Sequence, residues 1–285
     1  MKQISVFTKV FVGAAILTVL FLSIASYAGN KALAQDPDLI SNIEKRYNVT
    51  IRMGGISSNS AMDYAESSDT WNFAPPTQVL NIKNVSGNFH FKVGTGKEIV
   101  IKATGHFDKK KAPRLLDVAM EGDTLKIQQP DDAVRKLEVY IEVPSTFKQE
   151  IEVTTVSGNT NIEGLSLEKL TLQSVSGDSN LNRVSAKTAS FKTVSGEIEA
   201  EESDLKEVEG NSVSGDLKLA NLNPLSLKFK SVSGDVKLKI AKGETAIYTL
   251  RSLSGKVENK VGSAGVGKSS FNVDVKTTSG DIEVE

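Results

Sequence analysis

The chain contains no cysteine, which removes disulfides, thiolate metal sites and cysteine nucleophiles together and leaves the fold to be held by packing. Nor is there an excess of charge of either sign. Lys and Arg number 34 against 35 Asp and Glu, a formal net charge of -1 over 285 residues. That balance argues against a polyanion-binding role and against nucleic acid as a partner, because no surplus of cations is available to neutralise phosphates. The one basic cluster, Lys109, Lys110, Lys111 and Arg114, reads as a solvated loop. Charged residues make up 24%, near the globular average, which excludes wholesale disorder.

What is present begins with the amino terminus. Lys2 and Lys9 precede an apolar run from Val10 to Gly29, followed by Ala32-Leu33-Ala34, a small-x-small site for a signal peptidase. The run is also long enough to span a bilayer as a helix. Two readings therefore stay open for residues 1–34: a signal peptide cleaved near Ala34, or a membrane anchor retained through residues 10–29. Either one exports the remainder to the periplasm or cell surface.

Residues 35–76 read as linker and cap. Ile51 to Trp71 is rich in Gly, Ser and Asn without a clear period and reads as loop, and Trp71 and Phe73 before Pro75-Pro76 cap the first core layers. Residues 77–150 are strand-rich but irregular, with alternation around Leu80 and Ile82, around Phe89 and Phe91, and from Leu137 to Val143. Glu121-Gly122-Asp123 is a hairpin signal between Val118-Met120 and Leu125-Ile127.

From residue 151 to 285 the spacing becomes regular. Val-Ser-Gly starts at Val156, Val175, Val194, Val213 and Val232, four intervals of 19; Leu253-Ser254-Gly255 follows after 21 and Thr278-Ser279-Gly280 after 25. An earlier copy, Val85-Ser86-Gly87, stands outside the register. Columns recur four and six positions after each valine, Thr160 and Ile162, Ser179 and Leu181, then apolar at both in Ile198 and Ala200, Leu217 and Leu219, Val236 and Leu238, and again at fourteen and sixteen (Leu170 and Leu172, Ala189 and Phe191). Side chains two apart share a strand face, and the odd steps between columns demand bends. The spacing predicts an all-β fold, a β-helix-like parallel β-solenoid of about 19-residue coils, each of two or three short strands stacked on the last.

In this geometry Gly158, Gly177, Gly196, Gly215, Gly234, Gly255 and Gly280 fall at a corner where coils approach too closely for a Cβ. Hydroxyls precede and follow each valine, as in Thr155 and Ser157, and read as ladders bonding to each other or to the turn backbone. Neither histidine, His90 nor His106, lies in the repeat region to activate one of them. After the glycine comes a mostly acidic column including Asp178, Glu197, Asp216 and Asp235. Two readings apply to it: capping of turn amides by short acidic side chains, or a Ca²⁺ site, although the nonapeptide of regular calcium rolls is absent.

An exported amino terminus, the segment Glu121-Gly122-Asp123-Thr124-Leu125-Lys126-Ile127, a strand ending at Val143-Pro144 and then Val-Ser-Gly-Asp units together resemble the bacterial DUF4097 family, adhesin-labelled and LiaG-like. The resemblance covers residues 77–285. It implies a β-solenoid protein of the cell envelope and supplies no catalytic or binding residues. The reading is a non-enzymatic exported scaffold for adhesion or binding to an envelope protein or glycan, with no cofactor. Two alternatives are a self-associating structural protein, joined through an edge left after Asp281–Glu285, and a carbohydrate-active enzyme using carboxylates of the acidic column.

Overall fold

A computed structural model of the protein describes residues 64–76, 78–108, 115–130, 134–222, 224–240, 246–261 and 271–285, all within the unit Asp63–Glu285. The residue 10–29 span, the Ala34 site and the Lys109–Arg114 cluster lie outside the described residues.

Alternation of apolar and polar residues produces strands throughout. The irregular section holds β1 (Tyr64–Phe73), β2 (Val79–Ser86), β3 (Asn88–Gly94), β4 (Ile99–Asp108), β5 (Asp117–Glu121), β6 (Thr124–Gln128) and β7 (Val134–Pro144). The repeats give β8 (Glu150–Ser157), β9 (Thr160–Glu163), β10 (Ser166–Ser176), β11 (Ser179–Asn182), β12 (Ser185–Thr193), β13 (Ile198–Glu201), β14 (Asp204–Asn211), β15 (Leu217–Leu222), β16 (Ser226–Lys230) and β17 (Val236–Ile240). The chain ends with β18 (Ala246–Ser252), β19 (Val257–Asn259), β20 (Phe271–Thr277) and β21 (Ile282–Val284).

Two large sheets result. One has the order β1-β4-β7-β3-β9-β11-β13-β15-β17-β21-β19 and the other β18-β20-β16-β14-β12-β10-β8-β2-β6-β5. From β8 onward successive strands alternate between the sheets, so each repeat contributes one strand to each. Pairing is parallel with a 19-residue offset, as in Leu170↔Ala189, Ala189↔Val208 and Leu181↔Ala200. The apolar columns consequently stack; Leu170, Ala189, Val208, Leu217, Leu219, Val236 and Leu238 all belong to one buried cluster reaching from Leu80 to Val284.

Four features depart from the sequence reading. Tyr64–Phe73 is a strand and not loop, paired residue for residue with β4, and Trp71 and Phe73 pack against the core. Val85-Ser86-Gly87 is in register after all: Ser86 pairs with Ser157, because β4 to β7 are added on one side of β2 and β3 and the chain then returns to their other side at β8 and β9. The final strand is not an edge. β21 lies between β17 and β19, and β20 between β16 and β18, so the last-made unit is inserted beneath the one before it. The open edge therefore lies at β18 and β19 and not after Asp281–Glu285. Finally, Gly164, Arg183, Glu202 and Asn221, spaced by 19, all have positive φ (71, 53, 48 and 57°), a left-handed corner that three non-glycine residues adopt against their steric preference.

Candidate functional site

At the corner, each glycine of the tripeptide touches the glycine of the neighbouring repeat. A Cβ on Gly177 would lie 2.2 Å from the Gly158 carbonyl oxygen, on Gly196 2.2 Å from that of Gly177, and on Gly234 2.0 Å from that of Gly215. The spatial order follows the sheets, with Gly280 against Gly234 and Gly255 against Gly280. The hydroxyl before the tripeptide turns inward in Ser212, Ser231 and Thr277, and accepts from the glycine amide three residues on, at 2.7, 2.9 and 3.0 Å. These hydroxyls bond the turn and face the interior, while Ser157, Ser195 and Ser233 point to solvent.

The acidic column bonds from one repeat to the next. Asp178 Oδ1 accepts from the Glu197 amide at 2.9 Å, Asp216 Oδ1 from the Asp235 amide at 2.8 Å, and Asp235 Oδ1 from the Asp281 amide at 2.8 Å. Asn88 and Asn159 continue the same row with their amide oxygens. Glu197, one methylene longer, instead pairs with Lys218 at 2.6 Å, and that bond is the main cause holding the Lys218 ammonium above its ordinary value. Among the described residues no group of three or more His, Asp or Glu is placed to hold a metal ion.

The sequence reading missed the outward face of β7, β3, β9 and β11. Tyr140, His90, Asn161 and Asn180 are paired across these four strands. The Tyr140 and His90 rings stack with centroids 4.8 Å apart and planes at 14°. Asn180 Nδ2 donates to Asn161 Oδ1 at 2.9 Å, and Asn161 Nδ2 lies 3.3 Å from His90 Nδ1. With Nδ1 accepting, the imidazole proton sits on Nε2 and is donated to Glu138 at 3.0 Å. The row thus forms one directed hydrogen-bond chain ending on a carboxylate. Beside it, Lys92 and Glu163 complete a groove of about 440 Å³. His90 and Asn161 are 71 residues apart, and only the sheet brings them together.

No curated protein matches this chain. Among solved structures, a candidate adhesin from Bacteroides fragilis NCTC 9343 is similar with a TM-score of 0.52 at 12% identity, covering 78% of this chain and 97% of that one. Another, from Parabacteroides merdae ATCC 43184, has a TM-score of 0.48 at 12% identity, covering 77% and 96%. A candidate cell adhesion protein from Clostridium sporogenes ATCC 15579 has 0.42 at 14%, covering 77% and 99%. Identities this low speak to fold alone. The Toastrack DUF4097 family profile, by contrast, matches the sequence itself over residues 78–285, the span of both sheets from β2 onward. This chain is therefore a member of the Toastrack DUF4097 family.

Proposed function

We propose that the protein is a non-enzymatic, exported component of the cell envelope, a parallel β-solenoid that holds its outward side chains rigidly for adhesion or binding. One observation carries this reading: side-chain rows run in register across consecutive strands over one continuous buried cluster, so the outer faces are fixed lattices of functional groups. Close packing of such a core leaves little freedom at the positions that project from it. The name of the similar Bacteroides fragilis structure, an adhesin, lends support from outside the chain.

Under this proposal residues 1–34 direct export, by cleavage near Ala34 or by anchorage through residues 10–29. Residues 35–76 form a linker and cap, and 77–150 and 151–285 are the irregular and regular parts of one scaffold. The seven repeat glycines make the corner, and Asp178, Glu197, Asp216 and Asp235 serve stacking. The contact face is the groove of Tyr140, His90, Asn161 and Asn180. Its aromatic edges and amides suit the hydroxyls of a glycan or the backbone of an envelope protein.

The test is retention of the full-length protein on isolated envelope polymers and whole cells, with Tyr140→Ala and Asn161→Ala in parallel. Retention that both substitutions weaken is expected. No retention on any envelope fraction would reject the binding role.

A further inference from the structure

The outward face of the other sheet carries a line of cations that the overall charge balance conceals. Lys192, Asn211, Lys230, Lys276 and Arg251 pair in turn across β12, β14, β16, β20 and β18. Three cations therefore stand on consecutive strands about 4.8 Å apart, where like charges repel. Lys276 is held by Asp274 at 2.8 Å. Among the described residues no carboxylate pairs with Lys192, Lys230, Arg251 or the adjacent Lys228. The contrast is with the first sheet, where Lys218, Lys237 and Lys260 are each bonded to a glutamate.

We infer that this row binds a linear polyanion lying along the stack, so that the repulsion within the row is relieved by the ligand's own repeated charges. A line rather than a plane is indicated because the next row inward holds Glu209 and Asp274 paired by register to either side of Lys228, and an anionic membrane surface would press on those acids as well. The cations span four strand steps, about 19 Å. Beneath them lies a shallow cleft of about 260 Å³ beside Gly210. The inference goes beyond the scaffold reading, adding a second contact face on the sheet opposite the Tyr140 groove.

The experiment titrates the full-length protein with long-chain inorganic polyphosphate over a range of salt. Four cations at about 0.7 per neutralised phosphate predict a slope of log affinity on log salt of about -3. Lys230→Gln with Arg251→Gln removes two contacts and, at 0.1 M salt, weakens binding about 25-fold. Lys239→Gln, an exposed cation on the first sheet, leaves it unchanged. Saturable binding with that slope and that difference supports the row. No binding, a flat salt dependence, or equal loss in Lys239→Gln overturns it, as does tighter capture by phosphatidylglycerol vesicles through the same residues. Persistent retention on envelope fractions without polyphosphate binding rejects the row and leaves the scaffold standing; loss of both rejects both.

Discussion

Replacing Gly196 by alanine is a direct test of the corner. The new Cβ would lie 2.2 Å from the Gly177 oxygen and 2.8 Å from its carbonyl carbon, against the 3.3 Å or more at which carbon and oxygen ordinarily meet across a sheet. Both atoms are backbone, so no side chain can swing away, and the corner has to open by about 1 Å. Opening breaks the bonds that close it, Ser195 amide to Val175 carbonyl at 3.0 Å and Glu197 amide to Asp178 Oδ1 at 2.9 Å. Two lost bonds at about 1 kcal/mol each, with about 1–3 kcal/mol for overpacking, give a destabilisation of about 3–5 kcal/mol. For a domain of this size each kcal/mol moves the melting temperature by about 2–4 °C, so a fall of about 6–20 °C is expected by circular dichroism. Gly96→Ala is the control, since only the Glu98 amide comes within 4 Å of its Cβ, at 3.9 Å; it should be neutral. Equal melting temperatures for the two variants would refute the stacking argument.

Other outcomes follow from other columns. Glu202→Gly should stabilise the protein by up to about 1 kcal/mol in denaturant melts, because the left-handed corner strains glutamate and not glycine. Asp216→Asn should melt like the parent with or without Ca²⁺, since an amide oxygen still accepts from Asp235, whereas Asp216→Ala should lose about 1 kcal/mol. Bonds from Lys260 and then Lys237 hold the Glu283 carboxyl below the usual carboxylate range. Its folded value being the lower one, the stabilisation is present at neutral pH and fades as pH falls through that depressed value, so the melting difference between parent and Glu283→Gln should vanish in acid. Deleting residues 271–285 should remove hydrogen-exchange protection from Val257–Asn259, whose strand pairs with β21.

How far the fold could be read depended on whether a contact repeats. The 19-residue period gives Leu170 over Ala189 directly, because every repeat solves the same packing problem with the same spacing. The Gly122 hairpin was equally legible, since its turn is local and Glu121 pairs with Thr124. Nothing local marks the meeting of Ser86 with Ser157, because the excursion of β4 to β7 separates them. The left-handed corner was hidden because arginine and glutamate occupy it where glycine would have announced it. Tyr140, His90 and Asn161 are unremarkable singly and become a row only through pairing across strands from three different parts of the chain. Net charge is silent in the same way: a value of -1 says nothing of Lys230, Lys276 and Arg251 standing on neighbouring strands, which only the pairing reveals.

The inverted order of the last two units fixes when the molecule can be finished. A chain folding as it is made would add β8 through β17 one unit at a time, each landing on the one before. β18 and β19 are then made with no seat, since their partners β20 and β21 come later in the chain. Completion is thus withheld until residues 271–285 are available, and a chain truncated before them keeps an unfilled layer that quality-control proteases can recognise.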